Sequence, residues 1–194
     1  MYTAKKFTFG NLDGISPKQL EIHIKLYEGY VKFLNTLEET ALDLKKDSEK
    51  NAYALAEVTR RIGFEWNGMR MHEHYFSQWE GTPAPIEGSL KDALVSQYGS
   101  YESWENEFKA VGMMRGIGWA LLSYDATTKN FLTHFVADHE LGQLNDTKTI
   151  LALDMWEHAY MVDYTPAEKK QYIEAFFKNL NGVVVSKCLT KATS

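Results

Sequence analysis

The heptapeptide Asp154-Met155-Trp156-Glu157-His158-Ala159-Tyr160 decides how this chain is read. It follows Thr149–Leu153, a run that reads as a strand ending on Asp154. His158 comes four residues later. A carboxylate and an imidazole at that spacing can converge on one ion if a helical turn begins between them. The competing reading is an N-capping aspartate followed by a core histidine, and it stays open on the heptapeptide alone.

Outward from this point the layout has two parts. Gly118–Tyr124 and Asn130–Val136 read as two further strands, joined by the turn-like Asp125-Ala126-Thr127-Thr128-Lys129. Two short helices are expected before them, over 88–97 and 101–114, with Tyr98-Gly99-Ser100 between. Helix returns near Trp156 and again from Pro166 to Leu180. Upstream, Gly81-Thr82-Pro83-Ala84-Pro85 is the one Pro-rich interruption and marks a domain boundary. Residues 1–15 read as an extended arm. Ser16-Pro17-Lys18-Gln19 carries a helix start: Ser16 as N-cap, Pro17 at the first helical position, Gln19 at capping-box spacing. Leu20, His23, Leu26, Tyr27, Tyr30, Val31 and Leu34 then follow a helical rhythm, and a second helix runs from about Ala52 to Trp79. The expected fold class is α+β. A helical hairpin domain (1–84) packs on a second domain (85–194) of helices around a small three-stranded antiparallel sheet.

The chain has 194 residues, enough for one large domain or two small ones sharing a core. A net charge of −5 argues against a broad nucleic-acid-binding face. The single cysteine, Cys188, excludes an intrachain disulfide and a cysteine-based zinc site. No window approaches the ~18 apolar residues of a membrane span, and Met1–Gly10 lacks an apolar signal core. No membrane association is expected, and a cytoplasmic location is the default. Among the six histidines, His23 lies on the buried stripe of the first helix and His72 on the second, so both point at one interior. His74 competes with His72, but two residues apart on a helix they face directions roughly 200° apart, so only one can face the site. His134 reads as a sheet residue with no role, and Arg70 and Lys25 as solvated charges.

Asp154–Tyr160 resembles the D-x-W-E-H-A-Y signature of the iron/manganese superoxide dismutases. Phe64-Glu65-Trp66-Asn67-Gly68-Met69-Arg70-Met71-His72-Glu73-His74-Tyr75-Phe76 resembles the family's second ligand helix without a gap. Gly116-Ile117-Gly118-Trp119 is similar to its G-S-G-W stretch, and Gly29-Tyr30-Val31 with Asn35 to its G-Y-V…N stretch. The likeness runs from about residue 9 to 185. It implies one iron or manganese ion per chain, held by His23, His72, Asp154 and His158. It also implies Tyr30 at the pocket mouth and His139 beside the ion's solvent, with Trp119 and Trp156 narrowing the cavity. It also implies that a glutamine in place of Gly68 would compete with His139 for the same space. The implied activity is conversion of superoxide to dioxygen and hydrogen peroxide by one-electron cycling of the ion. The implied assembly is a homodimer in which Glu157 reaches the partner's copy of His158.

The chain departs from that pattern in two places. Counting back from Tyr30, the first ligand falls on Ile22, and only loss of a one-residue helical bulge brings His23 into place. Tyr27 and Met161 stand where the family has a histidine and a tyrosine that meet across the subunit boundary. These changes keep an alternative open: a relative that binds the metal without efficient turnover. A non-haem iron oxygenase fits less well because of the third histidine, and a zinc hydrolase because no general base stands nearby.

Overall fold

The computed structural model describes residues 1–193. Helix α1 spans Pro17–Leu44, with the Ser16 hydroxyl accepting the Gln19 N–H (3.0 Å) as an N-cap. Helix α2 spans Ala52–Ser77 and packs against α1 as a hairpin. Gln19 departs from its expected capping role. Its side chain leaves the helix end, is buried, and spans to the segment after Asp154: Nε2 donates to the His158 carbonyl (2.7 Å), and Oε1 accepts the Val162 N–H (3.0 Å).

Helix α1 is regular throughout, without a bulge. At 100° per residue, His23 and Tyr30 therefore lie about 20° apart on one face, with Tyr27 between them. This regularity resolves the one-residue discrepancy. His23 is 1% exposed, while Ile22 points outward at 39%.

Beyond the Pro-rich stretch come α3 (Ser89–Tyr98) and α4 (Tyr101–Gly112), then a three-stranded antiparallel sheet of β1 (Gly118–Asp125), β2 (Asn130–Ala137) and β3 (Thr147–Asp154), ordered β2-β1-β3. The fold is α+β, as expected. The central strand is buried on both faces from Gly118 to Tyr124. It begins at Gly118, whose φ of +148° and closeness to the Val136 carbonyl leave no room for a side chain. The register sets Trp119 opposite Asp154 on one side and Val136 on the other, so strand pairing alone delivers the indole to the aspartate. Gln78 at the end of α2 ties the hairpin to the sheet: its amide exchanges two 2.8 Å hydrogen bonds with the Ala152 backbone of β3. Losing that buried pair costs about 1–3 kcal/mol.

After β3 the expected helix near Trp156 is only one 3₁₀ turn, Glu157–Ala159. The helix expected from Pro166 is a 3₁₀ turn over Pro166–Glu168 followed by α5 (Lys169–Lys178). A last helix, α6 (Gly182–Thr193), was not anticipated from the sequence. It starts where Gly182 lies against the Pro85 carbonyl, a contact that excludes any Cβ. No helix of the described residues is long and apolar enough to cross a membrane.

Candidate metal centre

Four side chains meet where α1, α2 and the end of β3 converge. One nitrogen each from His23, His72 and His158 and one oxygen of Asp154 all lie within 4.8 Å of one another. His23, His72 and Asp154 are at most 1% exposed, and the His158 side chain is 15% exposed. The two oxygens of Asp154 have separate tasks. Oδ1 accepts the Trp156 N–H (2.9 Å), while Oδ2 faces His23 Nε2 (3.0 Å), His158 Nε2 (3.2 Å) and His72 Nε2 (3.4 Å). Burial alone raises the Asp154 carboxyl, but the charge and hydrogen bond of His158, together with the His23 hydrogen bond, outweigh it and hold the group well below the usual carboxylate range. Burial pushes His23 down and His72 well down, so both are neutral.

The tautomer of His72 shows what this arrangement suits. Its Nδ1 sits 2.6 Å from the Gly68 carbonyl and must donate there, so in the neutral ring Nε2 carries a lone pair. That lone pair points at the Asp154 carboxylate and at His158 Nε2, 3.4 Å away. Acceptors facing one another in a dry pocket repel, and a cation between them turns the repulsion into coordination. Three imidazoles and one carboxylate suit a borderline metal such as iron or manganese.

Aromatic rings close the pocket. Trp119 meets His72 edge-on (5.1 Å between centroids), Trp156 stacks on His158 (5.5 Å), and Tyr75 and Phe76 lie against His23 (5.0 and 4.9 Å). Tyr30 and His139 stand beside the four donors in one directed chain. Trp119 Nε1–H donates to His139 Nδ1 (2.9 Å), which leaves the proton on Nε2 to donate to the Tyr30 hydroxyl (2.8 Å). Burial lowers His139 to about 4 and raises Tyr30, so the ring stays neutral and the phenol keeps its proton. Having accepted from His139, Tyr30 is free to turn that proton inward.

Several other expectations can be placed. His74 lies outside the cluster, and His134 contacts Ser123 Oγ (3.0 Å) from β2. Arg70 pairs with Glu73 and stacks over Trp66, and Lys25 pairs with Glu21; neither joins the cluster. Tyr27 is fully buried, its hydroxyl accepting the Lys5 N–H (2.8 Å) and donating to Glu73 (3.3 Å), and burial pushes it up to about 12. It therefore anchors the N-terminal arm instead of standing at a rim, while Met161 is 47% exposed.

Sequence reasoning missed the supports. Asn67 Nδ2 donates to the His139 carbonyl (2.8 Å), and Tyr172, linked to Tyr75 (3.0 Å), donates to the Asp154 carbonyl (2.7 Å). Arg61 was missed too. It pairs with Glu65 and lies 3.7 Å over Phe64, whose ring packs on His139 (4.7 Å). Gln19 had one usable signal: it lies four residues before His23, on the same face of α1.

Residues 86–188 match the C-terminal domain of the iron/manganese superoxide dismutases. The chain is 35% identical over 158 residues to the Mn superoxide dismutase 2 of Haloferax volcanii, covering 80% of this chain and 77% of that protein. It is 38% identical over 158 residues to the Mn superoxide dismutase of Haloarcula marismortui, with 80% and 75% covered. It is 32% identical over 189 residues to the Fe superoxide dismutase of Aquifex pyrophilus, with 94% and 87% covered. Relatives carrying either metal are thus similar across both parts of the chain, and the chain belongs to the iron/manganese superoxide dismutase family.

Proposed function

We propose that this protein is a superoxide dismutase whose His23, His72, Asp154 and His158 hold one iron or manganese ion. The observation that carries the reading is the convergence of three imidazole nitrogens and one carboxylate oxygen, with the His72 lone pair aimed inward. When bound, the ion supplies one-electron oxidation and reduction, so that one superoxide leaves as dioxygen and another as hydrogen peroxide.

The chain's own residues do the rest. Asp154 stays ionised and supplies the one negative charge of the donor set, offsetting part of the ion's charge. Trp156 N–H and the Tyr172 hydroxyl fix that carboxylate and its carbonyl. Forming hydrogen peroxide consumes two protons, and the Tyr30 hydroxyl holds one that it can present to the bound anion. Trp119 keeps His139 in the tautomer that frees it. Trp119, Trp156 and Phe76 exclude water, which strengthens each of these interactions.

Tyr30 and His139 are the catalytic residues of this reading. A homodimer through Glu157 and His158 belongs to it as well. Glu157 is exposed with no ion-pair partner among the described residues, and Ile22, Met161 and Val162 are exposed near His158. A division into domains at 84/85 and a cytoplasmic location complete the reading. The single buried-leaning thiol, Cys188, supports the latter.

Direct observation of superoxide decay tests the function. Stopped-flow mixing with the metal-loaded protein is expected to consume superoxide catalytically, yielding dioxygen and hydrogen peroxide in equal amounts. Stoichiometric metal without catalysis favours the metal-binding relative.

A further inference from the structure

On the side of α2 turned away from His72 lies a second concavity, of about 600 Å³. Lys5 and Lys6 of the arm, Arg70 and His74 of α2, and Lys148 of β3 line it. Lys187 and Lys191, one turn apart on α6, complete the basic set. Six Lys or Arg side chains thus stand against two carboxylates, on a chain whose net charge is −5.

Both carboxylates are already engaged. Glu73 is held by Lys5 (2.7 Å) and Arg70 (2.8 Å), and Glu80 accepts the Thr8 N–H (3.2 Å). Lys6, Lys148, Lys187 and Lys191 have no carboxylate within ion-pair distance among the described residues. Four lysines elsewhere on the chain are paired locally: Lys25 with Glu21, Lys46 with Asp43, Lys91 with Glu87, Lys109 with Glu105. The unmatched cations here come from the arm, the sheet and α6, segments far apart in sequence. Gathering them costs mutual repulsion, which a bound polyanion converts into attraction. His74 adds an imidazole with no side-chain hydrogen bond among the described residues, and Phe7 and Val184 add apolar surface. The volume lies within the range of about 300–1,000 Å³ that small-molecule sites occupy.

We propose that this concavity binds a small polyphosphate, either free or as part of a nucleotide, its phosphates met by Lys6, Lys148, Lys187 and Lys191. The site uses none of the residues assigned to dismutation, so either reading can fail without the other.

Titration calorimetry and thermal melting of the full-length metal-loaded protein test the site, with sodium triphosphate as probe. Ionic strength is matched with sodium chloride, and metal content is checked before and after. Saturable binding is expected, with a melting temperature raised by several degrees at saturation. The double substitution Lys187→Glu/Lys191→Glu should weaken binding at least tenfold, while Lys45→Glu/Lys46→Glu should leave it unchanged. If the charge reversal disturbs folding, Lys6→Gln/Lys148→Gln provides the same comparison by neutralisation. Parallel titration with ATP identifies the source. Tighter binding of ATP places a nucleoside on Phe7 and Val184, equal binding indicates a free polyphosphate, and both support the site. Absence of saturable binding, equal binding by the lysine variants, or tighter binding of a short DNA duplex would overturn the proposal.

Discussion

Gly68 and Tyr30 share one space: a Cβ on Gly68 would stand 2.6 Å from Tyr30 Cδ1 and 2.7 Å from Cε1. Both distances are far inside van der Waals contact, and the ring is wedged between α1 and α2. Gly68→Ala therefore moves Tyr30 off the line to His139. Superoxide turnover is expected to fall about tenfold with metal content unchanged, because a misplaced donor costs rate without costing ligands. Full activity in Gly68→Ala would remove Tyr30 from the catalytic account.

The His139 ring is set from both sides, by Trp119 on Nδ1 and Tyr30 on Nε2. An amide can accept from the first and donate to the second. His139→Gln should then keep turnover within about tenfold of the parent, whereas His139→Ala should lose about a hundredfold. Steady-state kinetics at matched metal content separates the two, and equal losses would mean that the hydrogen-bond chain is irrelevant.

Gln19 holds the His158 carbonyl and the Val162 N–H in a buried position. Gln19→Leu leaves both backbone groups without a partner, at a cost of about 1–3 kcal/mol each. Chemical denaturation should register that loss, and the variant should release metal faster to a chelator than the parent. A stable variant with the parent's release rate would mean that Gln19 does not position His158.

Burial pushes His23, His72 and His139 below the unfolded value of 6.5, His139 to about 4. The unfolded chain therefore binds protons before the folded one does. The stability at stake is intact above pH 6.5 and is lost as pH falls from there toward the folded values. Asp154, held below its unfolded value of 3.8, adds a further loss at more acid pH. The metal-free protein should melt at constant temperature from pH 8 to 7 and progressively lower from pH 6.5 to 4. A melting temperature that rises over the latter interval contradicts the neutral-histidine description.

Arg61 lies over Phe64 at the His139 side of the pocket and is the cation nearest in role to an anion guide. Arg61→Glu should lower kcat/KM several-fold at low salt, and added salt should then raise the rate where it lowers that of the parent. A variant with the parental salt dependence would leave steering to other groups.

Much of this architecture is legible in the sequence because its signals are local. The apolar rhythm of α1 and α2, the turn residues between strands and the Pro-rich break each follow from backbone chemistry within a few residues. Three of the four donors were legible for a different reason: His72, Asp154 and His158 sit in the contiguous motifs Phe64–Phe76 and Asp154–Tyr160, whereas His23 lies outside both and was reached only through the buried stripe of the first helix. What escaped depends on tertiary contact. Gln19 has the spacing of a capping residue, and only the approach of the His158 segment draws its amide away. The Tyr27 hydroxyl found Glu73 and the arm because α2 passes beside it, which no spacing on α1 encodes. Helix α6 begins at a glycine and has β-branched residues in its first turn, so its propensity reads against it; packing on β3 and α3 overrides that.

The most direct test of the central claim is elemental analysis of the purified protein beside Asp154→Ala, with superoxide dismutation measured on both samples. The parent is expected to hold about one iron or manganese per chain and to dismutate superoxide catalytically, since three imidazoles and one carboxylate complete the donor set. Neither is expected in the variant if these four side chains hold the ion. Dismutation by a parent free of both metals, or full metal content and activity retained in Asp154→Ala, would contradict it.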